Sequence, residues 1–149
     1  MEDLAQLVSL ETRVKVSSTL DKSVGKKNLT DGSPESCWTS QQGTPQWIQL
    51  LFDAAVVPKR LLLTFQGGFV GTKCSLEVQR NSAGDDGKRS WVPWTKIFPE
   101  DINRKQSFNL PDETLPGEVH GLKITFEDSS DFFGRITVYD LQLLGHKHD

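Results

Sequence analysis

The sequence has no long apolar run. A membrane-spanning helix needs about 20 consecutive apolar residues, and no stretch of the 149 residues approaches that. Cysteine is scarce, with only Cys37 and Cys74. Two cysteines cannot build a disulfide framework, so two free thiols in a reducing compartment are expected. The opening segment, MEDLAQLVSLETRVKV, is acidic from its second residue and lacks a continuous apolar core, so no secretory signal is expected. Positive charge is not in excess: 17 basic and 20 acidic residues give a net charge of −3. Proteins that bind nucleic acid by neutralising phosphates are usually basic. Neither nucleic acid nor membrane is therefore expected as a partner, although a small basic patch remains compatible with this charge. The enzyme motifs GxSxG, GxxxxGKS/T, CxxC and HExxH are all missing.

What is present is period-two patterning. Apolar and polar residues alternate over 74–80 and 122–127, each predicting a strand with one face on a core and one in water. In 46–52, Ile48, Leu50 and Phe52 share a face; 59–66 is a denser run that reads as a central strand. Residues 13–18 alternate Val14 and Val16, and 91–98 and 106–110 are weaker strands. Pro93 cannot donate to a ladder, so it places its strand at an edge or a bulge. Residues 135–144 change phase between Ile136/Val138 and Leu141/Leu143. A bulge near Tyr139 and Asp140, or burial of both faces, accounts for this equally well. Turn clusters fall at 31–34, 42–45, 66–68, 81–88, 110–112 and 115–117. About eight short strands at this spacing predict an all-β sandwich or barrel. Leu4, Leu7 and Val8 have helical spacing and allow a short helix in an N-terminal extension over 1–12. One domain is expected over 13–145, with a mobile tail at 146–149.

Few side chains carry chemistry. His146 and His148 sit in the tail, and His120 has no partner nearby in sequence. Cys74 is in phase with Leu76 and Val78 and reads as a small core residue; Cys37 has no basic neighbour to activate it. Asn28-Leu29-Thr30 fits a glycosylation sequon that is expected to go unused without a secretory signal. The richest segment is 28–40, which gathers oxygen-bearing side chains around Gly32 and ends on Trp38. A tight loop of this kind can offer oxygens to a hard cation. It can equally be an Asx turn in which Asp31 caps the loop's own N–H groups.

Two segments carry a resemblance: Leu29-Thr30-Asp31-Gly32-Ser33-Pro34-Glu35-Ser36-Cys37-Trp38 followed by Pro45-Gln46-Trp47-Ile48-Gln49-Leu50, and the closing run 133–145. Their order and separation resemble a discoidin-like (coagulation factor type C, galactose-binding-like) domain. The fold this implies is a jelly-roll β-sandwich of two antiparallel sheets. Calcium-binding members use a loop aspartate and a last-strand glutamate. The resemblance therefore implies a candidate structural Ca²⁺ site at Asp31, Ser36 and Asp140, with no cofactor required. Asp140 stands for the glutamate and is one methylene shorter. The chain as a whole also resembles a small nuclear-receptor-associated family of transcriptional repressors. That implies a protein partner, an orphan nuclear receptor, and a location in nucleus or cytoplasm.

Jelly rolls of this family bind ligands through loops at one end, which here implies 39–45, 66–72 and 128–135. Phe69 and Val70 lie between glycines, and Phe132 and Phe133 are adjacent among polar residues. Adjacent apolar side chains point apart in a strand but together in a loop. With Arg135 they are residue types that anchor interfaces. The leading expectation is a non-enzymatic, monomeric protein-interaction module whose partner-binding residues are Phe69, Val70, Phe132, Phe133 and Arg135. The alternatives are that these phenylalanines plug the end of the sandwich, or that the domain is a calcium-supported carbohydrate-binding one with Arg135 or Gln41 as polar contacts. Trp38 is expected to close its loop onto the core, and Trp47 to pack at the start of its strand.

Overall fold

The computed structural model describes residues 3–81, 89–111 and 118–147. The turns expected within 82–88 and 112–117, and His148 in the tail, lie outside these residues. Nine strands are described: β1 (Ala5–Gln6), β2 (Arg13–Val16), β3 (Trp38–Thr39), β4 (Gln46–Phe65), β5 (Gly71–Asn81), β6 (Arg89–Ile97), β7 (Lys105–Asn109), β8 (Val119–Ser129) and β9 (Thr137–Lys147). All their pairings are antiparallel.

The strand β4 is the hinge of the architecture. Its first half pairs with β2 and β8, and β8 continues to β5 and β6. Its second half pairs with β7 and β9, and β9 also carries β1 and β3. One strand thus belongs to both sheets of a jelly-roll sandwich. The ring of Phe126 from the first sheet lies 5.9 Å from that of Phe65 in the second and 6.3 Å from Trp38. Those contacts bridge the two sheets.

Sequence phase explains the crossing. Even-numbered residues of β4 face inward as far as Pro58, apart from exposed Ala54 in the irregular stretch between Leu51 and Val56, and odd-numbered ones do so from Leu61 onward. Lys59 is the extra residue, since Pro58 pairs with Gly145 and Arg60 with Leu144. A bulge inserts one residue and so reverses the facing of all that follow. Pro58, lacking an N–H, sits beside that bulge. Gly145 is required there, because a Cβ would lie 2.1 Å from the carbonyl oxygen of Val57. Sequence patterning separates 46–52 from 59–66, but the structure joins them through 53–58.

The phase change near the C-terminus is a bulge. Thr64 pairs with Asp140 and Phe65 with Val138, leaving Tyr139 as the inserted residue. The strand containing Pro93 is both an edge and bulged: β6 ends its sheet, and Trp94 is skipped between the Thr95 and Pro93 pairs. The short helix that the spacing of Leu4, Leu7 and Val8 allows does not form. Ala5–Gln6 is a strand on β9, and Leu7 and Val8 are buried in the core. Their spacing reflects a single short crossing of the core. The helical elements among the described residues are two 3-10 turns, Lys22–Val24 and Lys26–Leu29.

The core joins inward residues of both sheets, including Ile48, Leu50, Leu61, Leu63, Phe65, Leu76, Leu122, Ile124 and Phe126. Trp38 is 0 % exposed, and its indole N–H donates to the Ser18 carbonyl at 3.0 Å. Cys74 is buried, with its Sγ 3.4 Å from the Gly71 carbonyl. Burial, aided by the charge of Glu127, pushes that thiol's pKa up, so it is an inert core residue. Trp47 does not pack inward. It lies half-buried on the outer face of β4, with the Lys123 ammonium 5.1 Å from its ring centre. Period-two facing explains this, because Gln46 and Ile48 take the inward positions.

Candidate functional site

Three loops meet where β4, β8 and β9 end or begin, and the one between β8 and β9 is hydrogen-bonded to each of the other two. Ser40 is fully buried; its N–H donates to the Ile136 carbonyl, and its hydroxyl accepts from the Ile136 N–H, both at 2.9 Å. Gly43 N–H donates to the Phe133 carbonyl at 2.8 Å. A Cβ on Gly134, whose φ is +82°, would meet the Gly43 backbone at 2.8 Å. Glycine is therefore needed at 134 both for the left-handed backbone and for the close approach.

The second loop, 66–70, is clamped from two sides. Gly67 and Gly68 N–H groups donate to the side chains of Asn103 and Asp101, each at 2.8 Å. Val70 N–H donates to the Ser130 hydroxyl at 2.8 Å, and Thr137 N–H to the Phe69 carbonyl at 3.0 Å. Asp101 also accepts from the Ser130 hydroxyl, at 3.2 Å. Asp101 and Asn103 were not legible as part of this site, because no local pattern tells which distant loop a polar side chain will cap.

The third loop is organised by Asp131. Its carboxylate accepts from the Arg135 backbone N–H at 3.1 Å and from the Arg135 Nε at 2.9 Å. Its carbonyl accepts from Gly134 N–H at 3.0 Å. The arginine hydrogen bond is the main reason the Asp131 carboxyl is held below the usual carboxylate range, and Asp131 raises Arg135 in return. Fixed in this way, the guanidinium lies 5.1 Å from the Phe69 ring centre and 5.8 Å from that of Phe133. Phe132 stacks edge-on against Phe133 at 5.3 Å.

These contacts gather Phe69, Phe132, Phe133 and Arg135 into one cluster. Phe132 is 94 % exposed and Phe133 53 %, so this pair does not plug the sandwich. Val70 is a correction to the expected set: it is 0 % exposed and belongs to the core. Its N–H and its carbonyl are both bonded to Ser130, which holds its side chain beneath the loop. The cluster is an apolar, cation-braced surface suited to non-covalent contact. Phe98, another strongly exposed aromatic, lies just before the segment carrying Asp101 and Asn103.

The candidate calcium residues have other partners. Asp31 accepts from Ser33 N–H at 2.9 Å and from the Ser36 hydroxyl at 2.6 Å, and Ser36 leads in holding its carboxyl low. That is the Asx turn allowed by the sequence. Asp140 accepts from the Gln142 amide at 2.9 Å and faces the Lys105 ammonium at 3.8 Å. Asp31 and Ser36 thus engage each other, and Asp140 engages a different cation. Among the described residues no three His, Cys, Asp or Glu side chains gather as a metal site. His120 is a half-buried side chain with neither ring nitrogen partnered; burial first, then the charge of Arg89, lowers its pKa.

No protein-family model matches the chain. Among solved structures, the chain is similar in fold to the family 32 CBM of C. perfringens NanJ in complex with galactose. The TM-score is 0.75 at 16% identity, covering 95% of this chain and 99% of that one. It is also similar to chitosan-binding module 1 of a Paenibacillus chitosanase/glucanase, with a TM-score of 0.74 at 15% identity over 95% and 99% of the two chains. Sequence likeness is much higher to another group. The chain is 44% identical over 144 residues to the nuclear receptor 2C2-associated protein of Danio rerio, covering 95% of this chain and 96% of that protein. It is 40% identical over 144 residues to the Homo sapiens protein of that name, with the same coverage. With the jelly roll in place and identity sustained from end to end, the chain belongs to the nuclear receptor 2C2-associated protein family.

Proposed function

We propose that this protein is a non-catalytic, monomeric binding module that associates with nuclear receptor 2C2 through the aromatic loop end. The family's name supplies the partner. The observation that carries the reading is the pair of exposed phenylalanines, Phe133 braced by Arg135 and Phe132 set edge-on against Phe133. An exposed apolar side chain beside a fixed arginine is a favourable interface anchor, because its ordering cost is already met in the free protein. Location in nucleus or cytoplasm is part of this proposal. The carbohydrate reading is less well supported. Arg135 is engaged by Asp131, and the Gln41 amide by the Thr19 carbonyl at 3.1 Å. A calcium requirement is not part of the proposal.

Photo-crosslinking to purified nuclear receptor 2C2 tests it. A photoreactive residue in place of Phe132 is expected to cross-link to the receptor. One in place of Leu10, which is 78 % exposed, is expected not to. Equal yields, or a yield from position 10 alone, would move the interface elsewhere.

A further inference from the structure

A second surface shares no residue with the aromatic cluster. A groove of about 640 Å³ is lined by Lys15 and Val16 of β2, by Thr19, and by the segment holding the two 3-10 turns, with Trp47 among its walls. Lys15, Lys22, Lys26 and Lys27 all border it. A fifth cation, Lys123, stands over the Trp47 ring. In register Lys123 lies opposite Glu77 on one side and Gln49 on the other, yet its ammonium turns to the tryptophan.

No lysine of this cluster is held in an ion pair with a carboxylate among the described residues. The ion pairs found among the described residues join Lys73 to Glu127, Lys105 to Asp140 and Arg135 to Asp131, and none uses a groove lysine. Asp21 is the acid beside the first 3-10 turn, and its carboxylate accepts from the N–H and hydroxyl of Ser23. A chain with a net charge of −3 thus places four lysines along one groove and a fifth over its tryptophan. Like charges held together raise the local potential and favour an anion there.

We propose that this groove docks an extended, acidic peptide segment of a protein partner. The choice of a peptide rests on the partner-binding reading above. A further observation favours it over nucleic acid. Single-stranded nucleic acid is usually held by several aromatic platforms for successive bases, whereas this groove offers one tryptophan already topped by a cation. Lysine ammoniums are mobile point charges, suited to carboxylates spaced along a flexible chain.

Fluorescence anisotropy with a labelled peptide of about 12 alternating Glu and Ser residues tests the inference at low salt. Lys26→Glu with Lys27→Glu is expected to weaken binding about tenfold or more, equivalent to about 1.4 kcal/mol. Lys96→Glu with Arg104→Glu makes the same change in net charge at exposed sites outside the groove, and is expected to cost under about threefold. Phe132→Ala with Phe133→Ala is expected to leave peptide binding unchanged. If the first pair unfolds, Lys15→Glu with Lys22→Glu replaces it. Equal losses from groove and control pairs, no loss from the groove pair, or tighter binding of an oligothymidylate of similar length would each overturn the proposal. The receptor takes no part in this assay, so failure of the aromatic-end reading would leave its outcome intact.

Discussion

The Asp31 loop and the Asp131 loop use one device and reach opposite ends. In each, an aspartate accepts a backbone N–H a few residues on, together with a side-chain donor: Ser33 N–H and the Ser36 hydroxyl for Asp31, and Arg135 N–H and Nε for Asp131. Serine ends at its hydroxyl, so the Asp31 loop closes on itself and leads into buried Trp38. Arginine continues past its Nε, and its guanidinium braces Phe69 and Phe133. An aspartate can fix either loop's backbone. The reach of its partner decides whether the loop is sealed or presents a surface.

The sharpest way to break the sealed loop is at its end. Trp38→Ala should destabilise the protein by about 3–5 kcal/mol, read by chemical denaturation, because a fully buried aromatic leaves a cavity at the sheet junction. Wild-type stability in that variant would mean the loop is not anchored by its tryptophan.

Asp131→Asn should come next, at about 1 kcal/mol, since a charge-assisted bond to a partly exposed arginine is lost. Its signature is in pH. The folded carboxyl titrates below its unfolded value, so its contribution is complete above about pH 3.9. It is lost as pH falls through the lower, folded value. Melting temperatures measured from about pH 5 down to pH 2 should therefore fall more steeply in wild type than in Asp131→Asn. Parallel curves would remove the arginine brace from the account.

Asp31→Asn should cost under about 0.5 kcal/mol, because asparagine keeps an acceptor for Ser33 N–H in an exposed turn. Calcium should do least. With Asp31 and Asp140 already engaged, about 1 mM Ca²⁺ should change stability by less than about 0.4 kcal/mol in a comparison of melts with and without EDTA. A larger rise would show that the ion displaces Ser36 or Lys105.

Much of this architecture was legible because it is periodic. The alternation at 74–80 and 122–127 and the phase change at Tyr139 follow from side chains facing opposite ways on successive residues, and the edge or bulge at Pro93 follows from proline's missing N–H. Non-local features were not legible. The alanines and valines of 53–58 carry no alternation, so the continuity of β4 was hidden. Leu7 and Val8 imitate a helix because a two-residue strand is too short to show a period. The loop cluster was visible in Phe132, Phe133 and Arg135 as residue types, but Val70 was misplaced because its facing depends on hydrogen bonds to residues 60 and more positions away. The lysine groove was open in principle, since Lys22, Lys26 and Lys27 are close in sequence. Its focus on Trp47 and Lys123 exists only in the fold.

The most direct test of the central claim is the dissociation constant of purified nuclear receptor 2C2 for folded Phe132→Ala, Phe133→Ala protein. Losing an exposed aromatic anchor typically costs about 2 kcal/mol or more, so affinity should fall about thirtyfold while the melting temperature stays close to wild type. An unchanged constant in a folded variant would contradict the assignment of the aromatic loop end as the partner-binding surface.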